Sequence, residues 1–259
     1  MRPRFFAEST GFEDLSVGRV VELTPSDAHH ARTVLRARPG DPCEVVFSGV
    51  RVVAEAVFAE VGDRATVRVT AWVEPGPLPG AELLLVQGLP QPRKVDEIVE
   101  KGTEVGIDSF LIAMVARSPR VPLERLAARA ARWRAVAGEA AKQSRQMAIP
   151  EVRTAPSLEE ALDSVRSEGW RSVFLTPGVT DHLGAVLAAG PDLGGRSPSG
   201  GGPVRWALWV GPEGGWSSAE VEFLKSADCT PATLGSRVLR TGTAGPVAGA
   251  LARYALSDW

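Results

Sequence analysis

The chain has 259 residues, of which 44% are hydrophobic, enough apolar material for one large domain or two smaller ones. A formal net charge of −2 excludes a protein that is basic throughout and coats nucleic acid, but it leaves room for a local basic patch. Two distant cysteines, Cys43 and Cys229, exclude a disulfide scaffold and a cysteine zinc site. Because the N-terminal segment lacks a signal-peptide core and no run reaches roughly 18 apolar residues, we expect a cytoplasmic protein without membrane contact.

The first 74 residues predict a small β-barrel with one helix. Short Val- and Phe-rich segments between turn residues predict strands at 19–23, 43–47, 51–59 and 65–73. A helix is expected at residues 26–36, with Ser26 or Thr24 as its cap. Residues 75–80, with three prolines and two glycines, predict a stiff linker to a second domain over residues 81–259.

After residue 80, apolar runs alternate with amphipathic segments. The runs predict strands at residues 82–86, 110–115, 172–176 and 205–210 and near Thr233. The amphipathic segments predict helices at residues 94–105, where Gly106 ends the helix, at 122–145, from Ser217, and up to Tyr254. This alternation is typical of a parallel α/β sheet. The Gly- and Pro-rich residues 190–203 predict a mobile surface loop without chemistry.

Several common chemical signatures are missing from the sequence. It contains neither the glycine-rich dinucleotide-binding pattern nor a P-loop, and it has no G-x-S-x-G nucleophile elbow. The three histidines, His29, His30 and His182, do not combine with a cysteine or with a second histidine at ligand spacing on a shared face. We therefore expect no metal.

Residues 210–215 join an apolar strand to a helix through a glycine-rich loop. The segment reads Val210-Gly-Pro-Glu-Gly-Gly215, and Ser217 and Glu220 follow at capping-box spacing. A tight turn alone would explain the glycines, since glycine adopts positive φ at little steric cost. The carboxylate within the cluster favours a loop where a ligand packs against bare backbone at the carboxyl edge of the sheet.

A second glycine-containing segment covers residues 233–250. Arg237 and Arg240 lie there among apolar residues, and because an unpaired buried guanidinium is costly, they favour a functional role. Thr241 or Thr243 is expected to cap the last helix. That helix is lined by small residues, which allow close packing and which a crowded core contact also explains: Ala244, Gly245, Ala248, Gly249 and Ala252.

Residues 117–145 form a basic stretch in a chain that is otherwise acidic. They hold eight basic residues against two acidic ones, Glu124 and Glu139. A charged helix face is usually just solvated, but a local excess of this size suits phosphate contacts. The basic residues are Arg117, Arg120, Arg125, Arg129, Arg132, Arg134, Lys142 and Arg145.

The two glycine-containing segments together resemble the signature of the SPOUT-class methyltransferases. The matching motifs are Val210-Gly-Pro-Glu-Gly-Gly215 and Leu234-Gly-Ser-Arg-Val-Leu-Arg-Thr241, and they resemble most the family that methylates N3 of a uridine in 16S ribosomal RNA. The resemblance spans nearly the whole chain in order. Its other segments are the Arg4-Phe-Phe6 start, Val34-Leu-Arg36 with Pro39-Gly-Asp41, Lys94 with residues 100–106, Arg117, and Gln143-Ser144 before Ile149-Pro-Glu151.

This resemblance implies a PUA-like, RNA-binding β-barrel at residues 1–74 and a C-terminal SPOUT α/β domain with a trefoil knot. It also implies a homodimer that acts on 16S ribosomal RNA or on the assembled small ribosomal subunit. The methyl donor would be S-adenosylmethionine, and the product S-adenosylhomocysteine. By position, the cofactor pocket would comprise Leu175, Thr176, Pro177, Val210, Gly211, Glu213, Gly214, Leu234, Gly235, Val238, Leu239 and Arg240.

The resemblance also makes Arg240 and Glu213 the candidate catalytic residues. Arg240 would stabilise the uracil anion on its carbonyl oxygens as N3 loses its proton, whereas Glu213 could serve structurally instead. RNA contacts are expected from a set of basic residues: Arg2, Arg4, Arg36, Lys94, Arg117, Arg120, Arg125, Arg129, Arg132, Lys142 and Arg145.

Two positions depart from the family pattern. Gly242 stands where family members often have Glu, so any role of that glutamate is absent or supplied elsewhere. Gln143-Ser144 is followed by Arg145-Gln146 instead of Gly-Arg, which weakens a specific role for Arg145. Two alternative functions stay open: methylation of a ribose 2′-OH or another base, and RNA binding without catalysis.

Overall fold

The structure is a computed structural model that describes residues 2–7, 16–73, 80–189 and 203–256. It divides into two compact units, the first comprising Met1–Pro77 with Ala141–Ile149 and the second Leu78–Ala140 with Pro150–Trp259. The expected linker at residues 75–80 lies outside the described residues except for Gly80. The expected mobile loop at residues 190–203 lies outside them except for Pro203.

The first unit contains a five-stranded sheet of order β1-β3-β4-β5-β2. Its strand β1 runs parallel to β3, and the other pairs are antiparallel, with register shifts between β4 and β5. The elements are β1 (Arg4–Ala7), β2 (Val20–Glu22), α1 (Pro25–Thr33), β3 (Pro42–Phe47), a 3-10 turn (Ser48–Val50), β4 (Val52–Val61) and β5 (Ala65–Val73).

The predictions for this unit hold for its four main strands and its helix. Thr24, one of the two predicted caps, accepts a hydrogen bond from the Asp27 N–H at 3.2 Å. Strand β1 was not predicted, because four residues are too few to show a period of two. Its Phe5 packs edge-on against Phe58, with ring centroids 5.7 Å apart in the core.

Ion pairs attach residues 141–149 to the first unit. The Lys142 ammonium pairs with Asp27 at 2.5 Å, and both side chains are largely buried. The Glu44 carboxylate accepts from Arg4 at 2.9 Å and from Arg145 at 3.1 Å. The pKa of Glu44 lies below its ordinary value, because these two guanidinium groups outweigh the opposing effect of burial. The interruption of the second unit by this segment was not predicted.

The second unit contains a six-stranded parallel sheet of order β11-β9-β10-β6-β7-β8. The alternating α/β architecture was therefore predicted correctly. Its elements are β6 (Ala81–Gly88), α2 (Pro92–Glu104), β7 (Ser109–Ala113), α3 (Leu123–Gln143), β8 (Glu151–Ala155), α4 (Leu158–Ser167), β9 (Arg171–Leu175), α5 (Leu183–Ala188), β10 (Val204–Val210), α6 (Ser218–Ser226), β11 (Thr230–Ala232) and α7 (Thr241–Ala255). Of these, β8, α4 and α5 were not predicted.

Strand β6 is apolar from Leu83 to Val86 because both faces of the sheet are covered. Leu83 and Leu85 belong to one core cluster, and Leu84 and Val86 belong to the other. Alternate residues of a strand point to opposite faces, so a strand between two helical layers needs apolar residues at every position. In the described residues no helix is long and apolar enough to cross a membrane.

The small residues of α7 allow it to lie directly on the sheet and its neighbouring loop. A Cβ atom on Gly245 would lie 2.9 Å from Leu85 Cδ2, and one on Gly249 would lie 2.8 Å from Ile107 Cγ1. The crowded core contact is thus confirmed. The prediction that Thr241 or Thr243 caps this helix is wrong: Arg240 is at the N-cap position, and no side chain caps the helix there.

Candidate active site

The carboxyl ends of parallel strands β6, β9, β10 and β11 lie at one edge of the second unit, where α/β sheets usually bind ligands. A cavity of about 700 Å³ opens at this edge, and we call it the carboxyl-edge cavity. The loops after β9, β10 and β11 and the first turn of α7 supply its walls. It is lined by Leu175, Thr176, Pro177, Gly178, Val179, Thr180, His182, Val210, Gly211, Pro212, Glu213, Gly215, Trp216, Thr233, Leu234, Gly235, Ser236, Arg237, Val238, Leu239, Arg240, Thr241 and Ala244.

The residues predicted to bind a cofactor, with one exception, line this cavity. The three segments around Leu175, Gly211 and Gly235 are distant in sequence, and the structure places them together. The exception is Gly214, which lies beneath the side chain of Arg117. The two candidate catalytic residues, Glu213 and Arg240, also line the cavity, and both are exposed.

Gln87, at the end of β6, connects the two motif segments. Its side chain is fully buried, and its Nε2 lies within hydrogen-bond distance of the Gly88, Val210 and Gly211 carbonyls at 2.9, 3.2 and 3.1 Å. The same nitrogen lies 3.2 Å from the Thr241 hydroxyl, which donates to the Gly211 carbonyl at 2.7 Å. The Gly211 carbonyl therefore accepts from two side chains that belong to different elements.

Gly88 and Gly211 lie where neighbouring atoms approach too closely for a side chain to fit without movement. A Cβ on Gly88 would lie 2.8 Å from Pro212 Cδ and 3.1 Å from Val115 Cγ2, so a side chain there would displace the loop. A Cβ on Gly211 would lie 3.1 Å from the Gly215 backbone. Loop 211–215 can therefore fold back on itself only because these positions carry no side chain.

Three side chains hold loop 211–215 against its neighbours. Arg117 Nη1 donates to the Gly214 carbonyl at 2.5 Å, and Glu213 accepts from the Gln91 N–H at 3.1 Å. Glu220 completes the predicted capping box with Ser217 and also accepts from the Ala116 N–H at 2.7 Å. The segment after β7 is thus attached to the loop after β10.

The opposite wall is held by hydrogen bonds of two side chains, Trp216 and Thr233. The Trp216 indole N–H donates to the Leu175 carbonyl at 3.1 Å. Thr233 exchanges hydrogen bonds with the Gly235 backbone at 3.1 and 3.2 Å, and Gly235 has φ +115°, a value that favours glycine. The predicted strand near Thr233 is β11, which ends at Ala232, and Thr233 itself bridges to His182.

The charges around the cavity are mainly positive. Arg237 and Arg240 are exposed on its rim, and among the described lining residues Glu213 is the carboxylate. Neither cysteine takes part: both are free and buried, and burial raises the pKa of the Cys43 thiol to about 12. In the part of the chain that the structure describes, no cluster of three or more His, Cys, Asp or Glu side chains could hold a metal ion.

The residues of the second unit that are predicted to contact RNA differ in exposure and in ion pairing. Arg117, Arg120 and Arg125 are exposed, whereas Arg129 and Lys94 are half-buried. The Arg132 guanidinium binds the Asp96 carboxylate through two nitrogens, with Nη2 2.6 Å from Oδ2.

Most residues of the first unit that are predicted to contact RNA form ion pairs with other residues of that unit. Arg2 pairs with Glu55 at 2.7 Å, and the largely buried ion pairs of Arg4 and Lys142 favour a structural role. Arg145 also pairs with Glu44, but its own side chain is 40% exposed. Arg36 is exposed and has φ +51°, next to Val34, whose side chain is 65% exposed.

Sequence reasoning missed several residues of this site, among them Gln87, Gly88 and Trp216. Gln87 had a recognisable signal, because it is a polar residue directly after the apolar run Leu83–Val86, where a buried amide needs partners. Gly88 had none, since the atom that requires a glycine there belongs to Pro212, far along the chain.

Comparison with known proteins identifies the family. Residues 77–253 match the family model for the RNA methyltransferase domain. The chain is 32% identical over 249 residues to the ribosomal RNA small subunit methyltransferase E of Mycobacterium tuberculosis, which covers 93% of this chain and 89% of that protein. The chain belongs to the ribosomal RNA small subunit methyltransferase E family.

Other members of the methyltransferase E family agree over similar lengths. The Bacillus subtilis member is 28% identical over 243 residues, which cover 93% of this chain and 92% of that protein. A crystal structure of a ribosomal RNA small subunit methyltransferase E from Neisseria gonorrhoeae bound to S-adenosyl methionine superposes with a TM-score of 0.80 at 25% identity, covering 98% of each chain.

Proposed function

We propose that this chain transfers a methyl group from S-adenosylmethionine to N3 of a specific uridine in the 16S RNA of the small ribosomal subunit. The observation that carries the proposal is the carboxyl-edge cavity, where both motif segments of the methyltransferase E family meet. The cytoplasm is the proposed location, because ribosomal RNA is the substrate.

The carboxyl-edge cavity fits S-adenosylmethionine in size and chemistry. Its volume of about 700 Å³ lies within the range of small-molecule sites, and Leu175, Leu234 and Ala244 offer apolar surface for an adenine ring. Loops around Gly211 and Gly235 offer bare backbone that can read polar edges. When bound, this cofactor supplies a methyl group on a sulfonium, a donor that is already activated.

The rim arginines suit the acceptor base. Uridine N3 carries a proton that it must lose at or before attack, and negative charge then develops on the uracil carbonyl oxygens. Arg240 and Arg237 line the cavity and are exposed, not buried as their apolar sequence context suggested, so a guanidinium there can reach and stabilise that charge. Because the donor is activated, the protein contributes mainly positioning and charge.

Glu213 has a positioning role in this proposal. Its carboxylate accepts from the Gln91 N–H at 3.1 Å, a contact that fixes loop 211–215 beside the start of α2. The alternative role as a proton acceptor is compatible with its exposure, and the two roles differ in their effect on pH–rate profiles.

Both units are proposed to contact RNA. In the second unit the exposed Arg117, Arg120 and Arg125 suit phosphate contacts, since guanidinium groups bind phosphate oxygens. In the first unit the exposed Arg36 beside Val34 combines a cation with an apolar surface, as an unstacked base and its phosphate require.

The finer features of the family fold are also proposed. A closed PUA-like barrel is supported by the five-stranded first sheet with its register shifts. A trefoil knot is supported by residues 233–241, which return from edge strand β11 to Gly211 and Gln87 at the middle of the sheet. A homodimer is supported by apolar residues exposed on α7, namely Leu251 at 41% and Tyr254 at 77%.

The decisive test is mass mapping of 16S RNA from a strain that lacks the gene, with and without the restored gene. We expect one methyl group on the base of a uridine, present only when the gene is restored. A methyl group on a ribose, or on another base, would establish the alternative acceptor. Purified protein with labelled S-adenosylmethionine, offered naked 16S RNA and assembled small subunits in parallel, identifies the form of the substrate. Absence of heat on titration with S-adenosylmethionine would favour a non-catalytic RNA-binding protein.

A further inference from the structure

Gln87 is a buried amide that directly follows four apolar residues of β6. These residues, Leu83 to Val86, all pack into core clusters, and Gln87 itself has no exposed surface. In the described part of the chain its Oε1 accepts no hydrogen bond, although it is fully buried. A buried acceptor without a donor costs free energy, so a residue that only filled space here would be better apolar.

The contacts of the Gln87 Nε2 group explain why an amide stands at this position. An amide nitrogen has two protons, and four acceptors surround this one: the carbonyls of Gly88, Val210 and Gly211 and the Thr241 hydroxyl. Val210 ends β10, Gly211 begins loop 211–215, and Thr241 is the first residue of α7. No apolar side chain can make these contacts, and a glutamate would direct oxygen at oxygen.

We propose that Gln87 is a positioning residue for the methyl donor: its amide fixes the spacing between the Gly211 carbonyl and the first turn of α7, and so sets the width of the carboxyl-edge cavity. Gly211 and Thr241 both line that cavity, whereas Gln87 does not. Gln87 therefore acts through the two cavity walls. The inference rests on the proposed function, because it assigns the cavity to S-adenosylmethionine.

Thr241 completes the same arrangement. Its hydroxyl accepts from Gln87 Nε2 at 3.2 Å and donates to the Gly211 carbonyl at 2.7 Å. Removing either side chain leaves the Gly211 carbonyl with a single side-chain donor. It also breaks the connection among Gln87, Gly211 and Thr241. The effects of the two removals on donor binding should consequently overlap instead of adding.

The test is a double-mutant cycle on the dissociation constant of S-adenosylmethionine, measured by calorimetry well below the unfolding temperature of each variant. Gln87→Met keeps the volume and removes the amide, and Thr241→Val removes the hydroxyl. We expect each to weaken binding roughly 10-fold, equivalent to about 1.4 kcal/mol. The dissociation constant of the double variant should resemble that of the single variant that binds more weakly. Thr241→Ser should retain wild-type affinity.

A matched control separates positioning from general stability. Thr103→Val changes another fully buried polar residue of the second unit, on α2 and outside the cavity lining. We expect the dissociation constant to stay at the wild-type value, whatever the unfolding temperature of this variant.

Three outcomes would overturn the inference: a Gln87→Met dissociation constant within twofold of wild type, fully additive effects in the cycle, or an equal loss of affinity in Thr103→Val. Failure of the wild-type protein to bind S-adenosylmethionine would instead overturn the proposed function.

Discussion

The Arg117 side chain packs over Gly214 in loop 211–215. The guanidinium Nη1 donates to the Gly214 carbonyl at 2.5 Å, and Cδ lies 3.0 Å from the position that a Cβ on Gly214 would occupy. One exposed arginine thus belongs both to the surface proposed to meet RNA and to the loop proposed to hold the methyl donor.

Arg117→Lys separates these two roles. Lysine keeps the charge for phosphate but lacks the planar fork of donors and the flat surface that covers Gly214. We expect S-adenosylmethionine affinity to fall about 3- to 10-fold, in line with the loss of a charge-assisted hydrogen bond, while RNA affinity changes little. Calorimetry and RNA filter binding measure the two quantities. Arg120→Lys is the control, and equal donor affinity in both variants would contradict the dual role.

Gly88→Ala is expected to disturb the donor cavity from outside its lining. The added Cβ would lie 2.8 Å from Pro212 Cδ, so loop 211–215 must shift. We expect a loss of about 1–3 kcal/mol in unfolding free energy together with weaker donor binding, measured by denaturant titration and calorimetry. Gly184→Ala is the control, because a Cβ in that turn of α5 meets only Ala255 at 4.0 Å and alanine favours helix. Unchanged donor binding in Gly88→Ala would contradict the contact.

Arg240→Ala is expected to impair turnover more than donor binding. If the guanidinium stabilises charge on uracil, its removal should lower kcat about 10²- to 10³-fold and leave the dissociation constant of S-adenosylmethionine within a few-fold of wild type. Methyl incorporation at saturating donor and RNA gives kcat, and Arg240→Lys should retain part of it. Full turnover in Arg240→Ala with unaltered donor affinity would remove Arg240 from the catalytic proposal.

Arg125 and Arg132 should differ in their effect on RNA binding although both lie on α3. Both side chains are exposed, but the Arg132 guanidinium is bound by Asp96 through two nitrogens. We expect Arg125→Ala to weaken RNA binding and to reduce the slope of log K against log salt by about 1. Arg132→Ala should change both the affinity and the slope less. Binding measured across a salt series decides this, and identical slopes for the two variants would count against the difference.

Glu168 is expected to make folding stability depend on acid pH. Hydrogen bonds from Arg153, together with those from Trp170 and Ser164, lower the pKa of Glu168 to about 2. Since the folded-state pKa is depressed, this contribution is complete above the ordinary value of 4.5 and is lost as pH falls toward 2. Glu168→Gln should therefore unfold more easily at pH 7 and lose part of the acid sensitivity, as measured by thermal unfolding across pH.

Asp163→Asn changes an exposed carboxylate on the same helix, α4, and serves as the control for that pH series. We expect its unfolding temperature to follow the wild-type pH profile. An unaltered acid profile in Glu168→Gln would show that the ion pair with Arg153 contributes nothing to folding.

Sequence patterns predicted the location of the site better than the contacts that hold it together. The pattern of an apolar run followed by glycines placed Gly211 at the carboxyl edge of the sheet, whereas Gly235 was assigned to the same pocket through the family resemblance. The supports around them are long-range contacts between single atoms, such as Gln87 with Thr241, and no local periodicity reports such a pair.

The missed elements have similar physical reasons. Strand β8 is at the sheet edge and buries only Val152 and Ala155 fully, so its five residues show no apolar run. Helix α5 has six residues, about the shortest length at which a helical stripe can be recognised. The assignment of residues 141–149 to the first unit depends on ion pairs such as Lys142 with Asp27, whose partners are 115 positions apart.

The order of the cavity-lining segments along the chain has a consequence for synthesis. Residues 233–244, which line one wall and begin α7, follow every other lining segment in sequence. Strands β6 to β10 leave the ribosome before that wall exists, so a nascent chain has no complete cavity for the methyl donor. The proposed capacity to bind it arises only after residues 233–244 have emerged from the ribosome and α7 can pack on Leu85.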